Sequence, residues 1–178
     1  MFQTLIYTAL LSEAQPLINF LKLKQDNSVQ NLPKNTKLFT NEESSYILLV
    51  SGIGKENCKK SLKFVFENYK IGKAINIGIA ACCDSSVKIG TLFCTNKLLP
   101  RINFAPITTV DTPLESDENL ETLLVDMESK YFLEICKKDC NEIYVFKVVS
   151  DYLDTTIPKK AFVIELIQNS LNSWKKYL

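Results

Sequence analysis

The chain has 178 residues, 46% of them apolar and 23% charged, with 21 Lys and Arg set against 20 Asp and Glu for a formal charge of +1 at pH 7. That length suits a single domain over residues 1–178 with a core of useful size, and two full domains would be cramped. A nearly neutral chain has no broad attraction for a phosphate backbone or an anionic membrane, so nucleic acid and lipid surfaces are excluded as expected partners and a small molecule takes their place.

The opening run Met1-Phe2-Gln3-Thr4-Leu5-Ile6-Tyr7 has no basic flank, and Ser12, Glu13 and Gln15 break the first apolar stretch, unlike a signal peptide. With no run near about 20 apolar residues, a cytoplasmic protein is expected. Residues 4–9 form a β-rich run, and the apolar spacing of Leu17, Ile18 and Leu21 after Ser12-Glu13 predicts strand, tight turn, helix. Residues 27–35 are polar around Pro33 and read as a loop; residues 37–40 and 46–50 read as two strands of a meander around Asn41-Glu42-Glu43-Ser44. Ser51-Gly52-Ile53-Gly54 then opens a helix whose Cys58, Leu62, Val65, Phe66 and Tyr69 share one face. Residues 74–79 are almost wholly apolar, as in a strand buried on both faces, and residues 91–95 make another strand after Lys88-Ile89-Gly90.

From Leu98 to Glu121 the pattern is punctuated by Pro100, Pro106 and Pro113, with only residues 107–110 strand-like. Next come a short strand at 124–127, a helix at 129–139 and a strand at 142–149. A last helix is predicted over 158–176, with Val163, Leu166, Ile167, Leu171 and Trp174 on one face and Pro158 in its first turn. Alternating strands and helices predict an α/β protein, three layers deep, with a central, mostly parallel sheet.

The chemistry available is bounded by the absence of His, which removes every Ser-His, Cys-His and His-metal mechanism and leaves carboxylates, Lys, Tyr or thiols to move protons. The six cysteines are expected as thiols. Cys136 and Cys140 stand four residues apart, but without His or a CxxC pair they read as small apolar packing, so neither metal nor cofactor is expected.

In a parallel sheet the residues that matter gather at the carboxyl ends of strands. Four segments there break the apolar pattern: Glu13; Ser51-Gly52-Ile53-Gly54-Lys55; Val125-Asp126-Met127-Glu128; and Lys147-Val148-Val149-Ser150-Asp151. Turn glycines also simply let a chain reverse, and one carboxylate past a strand end is commonly just solvated. Three carboxylates from distant strand ends, Glu13, Glu128 and Asp151, are more informative, because they can converge on one cleft.

In order and wording these segments resemble the nucleoside phosphorylase superfamily, and among its members they are most similar to the methylthioadenosine/S-adenosylhomocysteine nucleosidases. The likeness runs co-linearly over about residues 3–155. It includes Asn76-Ile77-Gly78-Ile79-Ala80 and Val87-Lys88-Ile89-Gly90-Thr91, similar to the family's central strand and loop. The resemblance implies a phosphorylase/hydrolase-like fold, no cofactor, a homodimer, and hydrolysis of the N-glycosidic bond of a purine nucleoside. Phosphate-dependent cleavage, or a nucleoside-binding protein without catalysis, stands as the alternative. It assigns Glu13 to activating water, Met127 and Glu128 to ribose, and Asp151 to donating a proton to the purine, with Ser150 orienting the base. Gly52, Gly54, Ile79 and Lys147 would form the water or anion site.

Three departures accompany the likeness. Ile79-Ala80-Ala81-Cys82-Cys83 stands where the family has a Gly-rich loop with a small hydroxyl residue, and Lys147 stands where an arginine is common. The chain is also short for the family, with the missing length before Val125, where the segment that stacks on the purine lies; Phe104 and Tyr152 are the aromatic candidates for that role.

Overall fold

Successive strand side chains point to opposite faces of a sheet, so the run Leu5-Ile6-Tyr7 must feed two different cores. In the computed structural model, Ile6 packs with Leu48, Ile75, Ile77, Phe146 and Trp174, whereas Leu5 and Tyr7 pack with Leu49, Leu62, Phe132 and Val145 on the other side. The structure describes residues 3–43, 45–114, 116 and 120–178; Ser44 of the predicted meander turn, and Glu115 and 117–119 of the proline-punctuated stretch, lie outside the described residues.

Four parallel strands form the centre, in the order β4 (Tyr46–Val50), β1 (Gln3–Thr8), β5 (Ile71–Cys82) and β10 (Glu142–Asp151). Antiparallel β3 (Lys37–Thr40) and β2 (Lys24–Gln25) extend one edge, and β6 (Leu92–Cys94) with β7 (Asn103–Phe104) extends the other. Beyond this row, β9 (Leu124–Asp126) pairs with the far end of β5, and β8 (Ile107–Thr109) pairs with β9. Helices α1 (Leu11–Phe20) and α4 (Lys160–Trp174) cover the Ile6 face, and α2 (Lys55–Asn68) and α3 (Ser129–Cys136) cover the Tyr7 face. This is the three-layer α/β arrangement expected, with a mixed sheet of ten strands among the described residues.

The helices form where apolar residues recur at helical spacing, and each buries that stripe. On α4 the buried residues are Val163, Leu166, Ile167, Ser170, Leu171 and Trp174, the last with its ring tilted against that of Phe146 at 5.4 Å between centroids. Each fully buried large apolar side chain contributes about 1.5–3 kcal/mol relative to exposure. Among the described residues no helix is long and apolar enough to cross a membrane.

Two central strands run further than their apolar runs. β5 extends from Ile71 to Cys82 rather than over 74–79, and β10 reaches Asp151 rather than ending at 149. The added residues have ladder partners: Ile71 and Lys73 pair with β1, Ala80 with Val149, Asp151 with Ala81, and Ala81 and Cys82 with β9, so the end of the apolar run did not end the pairing. α4 begins at Lys160, with Pro158 just before its cap rather than in its first turn. The two-residue strands β2 and β7 carry no periodic signal and are made by their neighbours.

Candidate active site

The parallel order brings the ends of β1, β4, β5 and β10 to one edge of the sheet. There the chain leaving β4 is laced to that leaving β1, with Ser51 N–H donating to the Thr8 carbonyl at 3.1 Å and Gly52 N–H to the Ala9 carbonyl at 3.0 Å. A cleft opens above these ends with about 760 Å³ of empty space counting its mouth, and Glu13, Ile79, Met127, Glu128, Ser150 and Asp151 all line it.

Glu13 lies in the first turn of α1, where a helix N-terminus favours negative charge. Its Oε2 accepts the N–H groups of Ala9 at 3.0 Å and Leu10 at 2.8 Å, and its Oε1 accepts that of Ile79 at 2.9 Å. Burial pushes this carboxyl above the ordinary glutamate range, and Lys147 and the three N–H donors only partly restore it. Space for it comes from Gly78, where an added Cβ would lie 2.8 Å from Glu13 Oε1 and 3.3 Å from Lys147 Nζ. Glycine inside a strand marks such a close approach.

The second group rises from β9 and β10. Lys147 is 2% exposed, and its Nζ bonds Asp126 Oδ2 at 2.9 Å. The same oxygen accepts the Ser129 N–H at 2.9 Å and hydroxyl at 2.6 Å, while Oδ1 accepts the Thr109 hydroxyl at 2.7 Å. Burial raises the Asp126 carboxyl, but the Lys147 charge and these donors outweigh it and hold the group below the usual range. For Lys147 burial works against the ammonium, and Asp126, Glu128 and Glu13 together overcome it and hold the group above the ordinary lysine range.

Glu128 caps α3 and turns its Oε1 to the Gly54 N–H at 2.7 Å. Burial pushes its carboxyl up to about 7, opposed by Lys147 and the Gly54 N–H and reinforced by Asp126 and Glu13. Below it, Tyr7 and Ser51 share a hydrogen bond of 2.7 Å.

Asp151 ends β10, half-buried. Its Oδ2 accepts the Ser150 hydroxyl at 2.6 Å and its Oδ1 the Asp154 N–H at 3.0 Å. These two bonds hold the carboxylate in place, and Asp151 lines the cleft together with Glu13 and Glu128.

Other residues singled out in the sequence lie outside the cleft lining. Gly52 and Gly54 sit beside the cleft rather than in its wall, and their N–H groups are already committed to Ala9 and Glu128, so they do not form an open anion cradle. Lys147 is sealed beneath the wall by its bond to Asp126 rather than presented to a ligand. Phe104 is 46% exposed on β7 and Tyr152 is 40% exposed with its hydroxyl on the Val87 carbonyl, so neither ring lines the cleft.

Other site components carry little signal in the sequence. Asp126 is visible there only as the neighbour of Met127 and Glu128, and Gly78 only as part of an apolar strand. Residues 153–158 fall in a featureless loop, yet Leu153, at φ 64°, and Ile157 and Pro158 form one rim of the cleft, while Val110, Pro113 and Leu114 form the other. A bulky residue with positive φ is a strained backbone position, and such positions cluster at functional sites. Among the described residues no set of three or more Cys, Asp or Glu side chains is disposed to hold a metal ion.

No family model and no curated protein matches the chain by sequence. Among solved structures it is similar to the futalosine hydrolase of Helicobacter pylori, with a TM-score of 0.77 and 15% identity over 99% of this chain and 98% of that one. It is similar also to the 5′-methylthioadenosine/S-adenosylhomocysteine nucleosidase of Campylobacter jejuni, at a TM-score of 0.73 and 16% identity over 99% and 98% of the two chains. A nucleosidase of the same description from Colwellia psychrerythraea, in complex with adenine, gives 0.72 and 17% over 96% and 95%. The chain therefore has the fold of these nucleosidase structures from end to end.

Proposed function

We propose that this chain hydrolyses the N-glycosidic bond of a purine nucleoside in the cleft at the carboxyl ends of β1, β5 and β10. One observation carries the reading: Glu13, Glu128 and Asp151, from sites up to 138 positions apart (151 − 13), line the same hollow. The fold shared with nucleosidase structures supports the reaction class.

The reaction needs a proton on the departing base and negative charge near an oxocarbenium-like sugar. Asp151, held by Ser150 and the Asp154 N–H, lines the cleft and would donate the proton to the base. Glu128 spends Oε1 on Gly54, leaving Oε2 toward the cleft to accept from ribose hydroxyls, with Met127 packing on the sugar. Glu13 would polarise the attacking water. Each of its oxygens takes backbone donors, which fixes its orientation within the tolerance such chemistry requires.

Water is favoured over phosphate as nucleophile because no Lys or Arg lines the cleft among the described residues, whereas Glu13, Asp126, Glu128, Asp151 and Asp154 do. An anion binding there would face repulsion with no compensating donor fork. Methylthioadenosine and S-adenosylhomocysteine are the substrates we favour. Incubating a panel of purine nucleosides with the protein, with and without inorganic phosphate, and measuring free base tests the proposal. Release of base at equal rates under both conditions is expected. Strict dependence on phosphate would assign a phosphorylase, and tight nucleoside binding with no base released would leave a binding protein.

A further inference from the structure

Three carboxylates and one ammonium are buried together beneath the cleft. Glu13, Asp126 and Glu128 are 3%, 6% and 6% exposed and Lys147 is 2% exposed. The groups facing Glu128 come from every neighbouring element: Glu13 from α1, Tyr7 from β1, Cys58 from α2, Asp126 from β9 and Lys147 from β10, with the Gly54 N–H completing the shell. One positive charge cannot neutralise three negative ones, and an uncompensated charge in such a place takes up a proton instead.

The geometry decides which carboxylate that is. The Lys147 ammonium is bonded to Asp126 at 2.9 Å, and Asp126 is further held by two bonds from Ser129 and one from Thr109. Glu13 takes three backbone N–H groups. Glu128 has a single backbone donor on Oε1.

We infer that Asp126 is a positioning residue: by anchoring the Lys147 ammonium on its own Oδ2, it keeps that cation bonded to itself rather than to Glu128 and leaves Glu128 the least compensated carboxylate of the cluster. The inference rests on the nucleosidase reading only for its consequence. Protonated, Glu128 keeps only part of its accepting capacity and carries no negative charge for the oxocarbenium-like sugar, so kcat/KM rises with pH through the Glu128 midpoint.

The test is to titrate Glu128 directly by NMR of protein carrying 13C at the glutamate side-chain carboxyls, with Glu128→Gln identifying its signal. Asp126→Asn preserves shape, because the amide oxygen can keep the Ser129 and Lys147 bonds while its NH₂ meets Thr109. With the anion gone, nothing beside Lys147 neutralises its charge and Asp126 no longer repels ionised Glu128, so the midpoint should fall by about one pH unit or more. The acid limb of kcat/KM should fall with it. A Glu128 midpoint that does not move in a folded Asp126→Asn variant overturns the inference.

The pair variant D126N/K147M removes both charges together, a change that buried ion pairs commonly tolerate, and keeps the test open should Asp126→Asn alone fail to fold. There the midpoint should stay at or above that of wild type, since the cation that lowers it is removed along with the anion that raises it; a fall of about a full unit or more overturns the inference. Because the NMR titration needs no substrate, a shifted midpoint in a protein that cleaves no nucleoside would refute the proposed function and leave the role of Asp126 standing.

Discussion

The floor and the rim of the cleft are built on opposite terms. On the floor, Glu13, Asp126, Glu128 and Lys147 are nearly sealed from solvent, and every one is bonded to an element distant in sequence. On the rim, residues 110–114 and 153–158 belong to loops, Ile157 is 60% exposed, and the backbone at Leu153 sits at φ 64°. Buried charges at strand ends tolerate little movement because their positions are set by the packing of the sheet. Loops carried on such a scaffold can change without disturbing it. On the proposed function, the bond-breaking chemistry would fall to the floor and the Asp151 carboxyl, and the choice among nucleosides to the rim.

Substitutions that separate the two regions sharpen this comparison. The largest effect is expected at Asp151, where the floor's chemistry meets the mouth: Asp151→Asn should lower kcat by about 100-fold or more while the melting temperature is unchanged. Unaltered turnover in that variant would remove Asp151 from the mechanism.

Next comes Gly78→Ala, which places a methyl 2.8 Å from Glu13 Oε1 and 3.3 Å from Lys147 Nζ. Overpacking of this kind costs about 1–3 kcal/mol. Denaturant unfolding should show that loss together with a fall in kcat, because the displaced groups are the pinned carboxylate and the shared ammonium. A variant as stable and active as wild type would mean that the floor is far more pliable than its bonding indicates.

The smallest effect is expected on the rim. Ile157→Ala should raise KM by roughly 2- to 10-fold, and unequally across a nucleoside panel, with kcat and stability nearly unchanged, as for loss of one apolar contact in a pocket. A fall in kcat matching that of Asp151→Asn would erase the division between floor and rim.

Much of the scaffold is legible without coordinates. The helix over 55–68 follows from Cys58, Leu62 and Val65, and the buried strand around 74–79 from its unbroken apolar run, because periodicity reports directly on which faces are covered. The carboxylates Glu13, Glu128 and Asp151 stand out because each interrupts an apolar segment where the chain should leave the sheet. Asp126 and Gly78 do not stand out. An aspartate beside a glutamate looks like any pair of polar residues at a strand end, and a glycine in a strand says nothing of what approaches it. Lys147 misleads for a related reason: a lysine at a strand end resembles an anion ligand until the aspartate that captures it is seen.

Taken alone, the sequence determined the layers, the succession of elements and the edge of the sheet where polar side chains collect, since those depend on local periodicity and on the rule that parallel strands share one carboxyl end. The tertiary structure decided how charge is distributed among the residues gathered there. Whether Lys147 pairs with Asp126 or faces a ligand, and which of three carboxylates is left to carry a proton, depends on distances of a few ångströms between β5, β9, β10 and α1. Coulomb and desolvation energies change steeply over such distances, and no pattern along a single chain records them.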